Sequence, residues 1–479
     1  MFYGRSGILG DLSALFRKRT SSLVTCRGRR RIGKSTLIET FAARSDAAFI
    51  KIEGLRPAPK LGNAAQLAHF AKQLASQTGG DASPPTDWLN AFLRLDKEIA
   101  DNRRTVVLLD EVSWMAHYDP TFAGTLKIAW DNRLKKHPRL ILVVCGSVST
   151  WIRDNIVESG TFYGRRSLDV VVPELPLSEC VKFWGKAASR IDRREILDFL
   201  SVAGGIPRYL EEIDPSATAA ENIRRLCFRP KGVLREDFDE MFSDVVTKQP
   251  NFTSTILRCL ADGPKNAAEI AAEIGMERGG RVSGALEQLV ECGFASADEG
   301  NNPATGRPLR EKRYRLRDNY ARFYLKYIEP AKAVIDADAF TFGGLDALEG
   351  WNAIAGLAFE NLVVNNYREL LAPLGLGAAQ IVSAAPYRRV GDRSGAGNGV
   401  QVDLLLQTRR SVCLVEVKRM REIGRDVIDE MQEKVRRMPR RNGCSIKTAL
   451  VYDGNLAPIV EADGYFDAIV PFGQLLGLD

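Results

Sequence analysis

The chain has 479 residues, more than one hydrophobic core usually organises, so three or four domains are expected. Its composition, 45% hydrophobic and 27% charged, is that of an ordinary soluble globular protein, and no apolar run approaches the roughly 20 residues that span a bilayer. The formal charge of +7 favours an acidic partner only weakly, but the arginines crowd at 27–31, 223–234, 307–317 and 418–441. The eight cysteines are scattered without a CxxC pair, which reads as reduced, mostly buried thiols in a cytoplasmic protein. The three histidines lack ligand spacing, so neither a disulfide frame nor a histidine metal site is expected.

The opening segment, MFYGRSGILGDL, lacks the basic and apolar regions of a signal peptide. Over the first 160 residues, the runs SLVTCRG, AAFIKIEG, RTVVLLDEV and RLILVVCGS alternate with helical stretches. Short apolar runs of this kind predict a parallel sheet covered on both faces. Between the first strand and its helix lies Gly28-Arg29-Arg30-Arg31-Ile32-Gly33-Lys34-Ser35-Thr36, which fits G-x-x-x-x-G-K-[ST]. The glycines let successive N–H groups point at phosphate oxygens. Lys34 can neutralise the β- and γ-phosphates of ATP, and the Ser35 hydroxyl can ligate Mg²⁺. The apolar strand ending in Asp110-Glu111 supplies a carboxylate for the metal and a second one to polarise an attacking water. Ser147, ending the next apolar strand, is placed beside the γ-phosphate or is a plain turn residue. Arg165 and Arg166 are either an arginine finger for a neighbouring subunit or surface charges.

Residues 176–245 read as helical (PLSECVKFWGK, RREILDFLSVAG, TAAENIRRLCF). Residues 252–296 carry three short helical patterns, and a hairpin is predicted from about 294 to 317. This pattern is that of a winged helix-turn-helix, in which Arg278, Arg281, Arg307, Arg310, Lys312 and Arg313 are available to phosphates. The reading helix has few base-reading side chains, so DNA contact and a purely structural role stand level. A helix and connector follow over 319–350. The last 130 residues mix the helix WNAIAGLAFENLVVNNYRELL with the strands GVQVDLLLQT, SVCLVEVK, KTALVYDG and FDAIVPFG, a separate α/β domain. Twelve residues separate Asp403 from Glu416, and strand alternation puts Glu416 and Lys418 on one face. With Glu360 from the upstream helix, these carboxylates and the lysine can hold Mg²⁺ and position water against a phosphodiester. The plain alternative is a surface ion pair between Glu416 and Lys418. The downstream basic helix, Arg425 through Arg441, suits a phosphate backbone.

Two resemblances attach to these motifs. The segments Phe2-Tyr3-Gly4-Arg5, GRRRIGKST, LLDEVSWM, CGSVSTWI, YGRRSLDVVVPELPLSE and Gly204-Gly205-Ile206-Pro207-Arg208-Tyr209-Leu210 resemble the archaeal-type P-loop ATPases of the STAND/AAA+ superfamily. That resemblance implies an adenine contact near the N-terminus and a helical lid, in which Arg208 becomes a phosphate contact. The family usually continues its GR with an acidic, helical stretch, whereas Gly7-Ile8-Leu9-Gly10 stands here. The C-terminal pattern resembles the PD-(D/E)xK nuclease superfamily, with Asp403, Glu416 and Lys418 matching its D…ExK core and Glu360 its helical acid. Val402 stands where proline is usual.

The expected architecture is α/β: a P-loop NTPase parallel sheet with a helical lid, a winged helix-turn-helix and a C-terminal restriction-endonuclease-like domain. The expected boundaries are 1–175 for the core, 176–248 for the lid, 249–330 for the winged helix and connector, 331–349 for a linker and 350–479 for the nuclease-like domain. The implied cofactors are ATP and Mg²⁺, with Gly28 through Thr36, Ser147, Arg165 and Arg208 around the nucleotide. Ser35, Asp110, Asp403 and Glu416 are the metal candidates. DNA is the expected partner, with RNA, a homo-oligomer and a protein partner left open and no membrane. The rival reading is a nucleotide-dependent signalling switch whose C-terminal domains bind a protein without cleaving DNA.

Overall fold

A computed structural model describes residues 2–100, 103–147, 149–245, 249–277, 279–389 and 399–478. Arg278, assigned above to phosphate contact, lies outside the described residues. The chain divides into two compact units, 1–174 and 175–479.

The first unit is built on five parallel strands: β1 (Ser22–Arg27), β2 (Ala48–Glu53), β3 (Thr105–Asp110), β4 (Leu140–Gly146) and β5 (Arg166–Val171), in the order β2-β3-β4-β1-β5. Every residue of β3 and β4 is buried, as their unbroken apolar runs require. The edge strand β5 was not anticipated because RSLDVV has no apolar run. Its polar positions are used in pairing: Asp169 accepts from Thr25 Oγ1 (2.7 Å) and pairs with Arg27 (3.0 Å) on β1. On one side of the sheet, Phe70, Trp88, Phe92 and Phe122 form an edge-to-face cluster from the helices Asn63–Thr78, Trp88–Lys97 and Phe122–Asn132. Trp88 is 1% exposed, and its Nε1–H finds Asn63 Oδ1 at 2.8 Å. The Gly-Ile-Leu-Gly segment is helical after all, within Ser6–Leu15, because Leu9, Leu12 and Leu15 give it one buried face.

After a short helix, Leu177–Cys180, the second unit continues with the four helices Arg193–Ala203, Pro207–Leu210, Ala219–Cys227 and Val233–Val245. Thr218 and Glu221 close a capping box at the start of Ala219–Cys227. Three more helices, Pro250–Cys259, Ala267–Glu273 and Gly280–Glu291, accompany a three-stranded antiparallel sheet of β6 (Lys265–Asn266), β7 (Ala295–Asp298) and β8 (Arg313–Leu316), in the order β6-β8-β7. The final sheet has five strands in the order β13-β12-β11-β10-β9: β9 (Ser383–Arg389), β10 (Val400–Gln407), β11 (Ser411–Ile423), β12 (Ser445–Leu456) and β13 (Ala468–Pro471). Strands β9, β10 and β11 pair antiparallel, while β11, β12 and β13 pair parallel, an α/β domain. Strand β9 was also not anticipated. Pro386 interrupts its pattern and is tolerated because β9 is an edge strand. No helix among the described residues is long and apolar enough to cross a membrane.

Candidate functional site

The loop after β1 and the ends of β3 and β4 meet at the carboxyl edge of the first sheet, where the strand order reverses. Ligands in open parallel sheets bind at such a crevice. The loop is shaped by backbone that resists ordinary side chains. Gly28 has φ +148°, and a Cβ there would lie 2.7 Å from the Val172 carbonyl oxygen. Gly33, with φ +84°, opens the helix Lys34–Arg44, whose first N–H groups face the loop. Arg31 adopts φ +68° between them. Arg29, Ile32 and Lys34 are buried, Arg30 lies over the Trp114 ring (6.0 Å), and Thr36 is exposed.

Lys34 Nζ donates to the carbonyls of Gly28 (3.1 Å) and Arg29 (3.2 Å) and to Ser147 Oγ (2.9 Å). Ser147 in turn donates from Oγ to Glu111 Oε1 (2.8 Å) and from its backbone N–H to Glu111 Oε2 (3.1 Å). Ser35 Oγ donates to Asp110 Oδ2 at 2.5 Å. Glu111 sits in the left-handed region, φ 47°, a strained conformation for a residue with a side chain. Lys51 on β2 lies 3.0 Å from Glu39 and 3.7 Å from Asp110; burial alone would lower its pKa, but these carboxylates raise it overall. Burial and then the Asp110 charge push Glu53 up. Arg5 donates to the carbonyls of Ile32 and Glu174 (both 3.3 Å), tying the N-terminal segment to the loop.

In the second unit, Leu404 of β10 pairs with Val415 of β11, which brings Asp403 and Glu416 together at the next position. Asp403 Oδ2 accepts from Val417 N–H (2.9 Å). Glu416 is 3% exposed and is paired with Lys434 and with Lys418 (3.2 Å), and Lys418 also holds Glu430 (2.7 Å). Burial, then Glu416 and Glu360, push Asp403 up to about 8. Burial and Glu416 also raise Glu360, against the pull of Arg322. Among the described residues, no three His, Cys, Asp or Glu side chains form a ready metal cage. Mg²⁺ rarely uses one; it commonly takes one or two carboxylates, with water and substrate phosphates completing its shell.

The raised Asp403 has a thermodynamic consequence. Between about pH 4, where an unfolded aspartate titrates, and about 8, the folded state keeps a proton that the unfolded state releases. Stability therefore falls as pH rises through that window. In metal-free buffer, melting temperatures should decline more steeply with pH for the wild type than for Asp403→Asn. Parallel curves would show that Asp403 ionises normally.

No protein-family model matches the chain. An uncharacterized protein of Methanocaldococcus jannaschii is 22% identical over 364 residues, 76% of each chain. Among solved structures, the Walker-type ATPase of Pyrococcus abyssi superposes with a TM-score of 0.51 at 16% identity, covering 68% of this chain and 96% of that one. The fold is that of a P-loop ATPase.

Against this P-loop fold, the remaining assigned residues fall in two groups. Arg165 is held by Asp131 through two nitrogens (2.9 and 3.0 Å) and by the Thr161 and Tyr163 carbonyls, while Arg166 donates to Val157 O. Arg208, on helix Pro207–Leu210, pairs with Glu212 at 2.6 Å. Arg281 bonds Gln249 and stacks on Phe252, Lys312 pairs with Glu299 and Arg313 with Glu269, while Arg307 and Arg310 stand exposed. Sequence reasoning missed Lys434 and Glu430, read as part of one basic helix. They lie four apart in Asp426–Arg437, a spacing that puts both on the same face. It also missed Lys51, whose signal was a lysine between the apolar Ile50 and Ile52 of β2.

Proposed function

We propose that the chain binds and hydrolyses ATP with Mg²⁺ at Gly28–Thr36, Asp110 and Glu111, and that its second unit acts on DNA. The observation that carries the first part is the unbroken contact chain Lys34–Ser147–Glu111 beside the Ser35–Asp110 bond. Such a site puts one cation, one hydroxyl–carboxylate pair and one potential base around a single point. Lys34 would neutralise phosphate charge, Ser35 and Asp110 would hold the metal, and Glu111 would orient and deprotonate water. When bound, Mg²⁺ supplies charge stabilisation between the phosphates.

In the second unit we read residues 176–248 as a helical lid, 249–330 as a winged helix with its connector, 331–349 as a linker and 350–479 as a nuclease-like domain. Asp403 and Glu416 would hold a metal, Lys418 would face the phosphodiester and Glu360 would complete the acid set. Exposed Arg307, Arg310, Arg388 and Arg440 are available to a phosphate backbone. A second reading has its own support. Lys434 and Lys418 already neutralise Glu416, which suits a folded ion cluster in a nucleotide-dependent switch that binds a protein and cuts nothing.

Metal-dependent cleavage and ATP turnover on linear, circular and single-stranded DNA separate the two. Cleavage lost in Asp403→Ala with turnover intact supports an ATPase carrying a nuclease. Absence of cleavage in every form, with turnover lost only in Lys34→Ala, supports the switch.

A further inference from the structure

A cavity of about 430 Å³ opens between the β7–β8 hairpin and the C-terminal α/β domain, and four acids lie in its wall: Glu360 and Asp403, with Asp298 paired to Arg315 and Glu311 accepting from Asn266. Its other walls are of two kinds. Leu357, Pro386, Val402 and the ring of Tyr387 give an apolar slot, while Arg310 on the hairpin segment and Arg388 on β9 are exposed cations. An apolar slot with cations at its opening and carboxylates in its wall matches a nucleotide: a flat base, a sugar and an anionic phosphate. Pockets of about 300–1,000 Å³ enclose drug-sized molecules, and a single nucleotide falls within that class. A base pair with both its backbones does not fit.

We propose that this cavity receives one unpaired nucleotide of a single strand, so that the second unit prefers single-stranded or splayed DNA to intact duplex. The preference deepens the nuclease-like reading and rests on it for the role of Asp403, but strand capture itself needs no cleavage. The base enters the apolar slot, where aromatic and aliphatic surface is tolerant of sequence. The flanking phosphates meet Arg310 and Arg388, and the intervening phosphodiester is brought towards Asp403. The hairpin is thereby a wall of the substrate site. Arg315 secures that wall, because it spans Asp298 on β7 and Asn365 on helix Trp351–Asn365, the helix that carries Glu360.

Equilibrium binding tests this with the full chain in Ca²⁺, using labelled oligothymidylate and a blunt duplex of equal length as probes. Wild type should bind the single strand about tenfold more tightly than the duplex, a difference of ~1.4 kcal/mol. Leu357→Trp, which fills the slot, should erase that preference and leave duplex binding unchanged. Should Leu357→Trp melt early, the exposed pair Arg310→Ala with Arg388→Ala serves instead and should weaken strand binding more than duplex binding. Equal affinities in the wild type, or an equal fall for both probes in the arginine variant, would overturn the proposal. Thymidine monophosphate is the competitor: displacement at the strand's own affinity would mean that the pocket takes free nucleotides, and would overturn strand capture. Strand-selective binding without cleavage in Mg²⁺ would leave the pocket standing and remove the nuclease reading.

Discussion

Glu111→Gln is expected to slow ATP turnover by about 10²–10⁴-fold, the usual contribution of a positioned acid–base group, while nucleotide binding survives. Steady-state phosphate release and equilibrium binding of a fluorescent ATP analogue would measure the two effects. The geometry explains the split. Ser147 now donates to two different Glu111 oxygens, from Oγ at 2.8 Å and from N–H at 3.1 Å; glutamine keeps one oxygen for the N–H, and its amide N–H can donate to Ser147 Oγ once that hydroxyl turns its own proton away. What glutamine loses is the capacity to take a proton from water. The backbone supports the same conclusion, because φ 47° at residue 111 costs about 1–3 kcal/mol and persists only where its surroundings hold it. Lys34→Ala should behave differently, losing binding and turnover together, because its buried ammonium is the loop cation that bonds Ser147. Loss of binding in Glu111→Gln equal to that in Lys34→Ala would sink the division of labour.

The P-loop was legible because its requirements are local. The glycines, the lysine and the hydroxyls lie within nine consecutive residues, Gly28–Thr36, and the buried strands β3 and β4 announce themselves as apolar runs. Ser147 was also legible as a strand-end residue, but its place between Lys34 and Glu111 depends on parallel strands distant in sequence. Strands β5 and β9 were not legible. One satisfies its polar residues through Arg27 and Thr25, the other carries a proline at a sheet edge, and both break the patterns that periodicity can detect. Partner choice was the least visible. Arg419 follows Lys418 on β11 and looks like one more phosphate-binding cation, yet it pairs with Asp198 and bonds Ser201 Oγ (3.2 Å) on helix Arg193–Ala203. Basic residues in a cluster carry no mark that separates those facing solvent from those holding an acid.

Arg315→Ala is expected to destabilise the second unit by about 3–5 kcal/mol, the cost of breaking a buried ion pair from one side. Both side chains are nearly enclosed, Arg315 at 7% and Asp298 at 8% exposure, with 3.2 Å between them. The guanidinium also serves Asn361 and Asn365, and Asn361 donates to the Leu316 carbonyl (2.7 Å) and to Asn319 Oδ1 (3.0 Å). Removing Arg315 leaves the Asp298 carboxylate buried without its cation. The double replacement Arg315→Met with Asp298→Leu removes both charges, and apolar substitutes for a buried pair are often neutral. It should recover most of the loss in a denaturant titration, whereas a double variant as unstable as Arg315→Ala would mean that the asparagine contacts dominate. Stability and positioning then come apart. The double variant lacks the tether between the β7–β8 hairpin and the helix that carries Glu360, so its preference for single-stranded over duplex DNA should shrink even where its unfolding free energy is restored. A restored fold with an undiminished strand preference would show that Arg315 holds the unit together without shaping its substrate site.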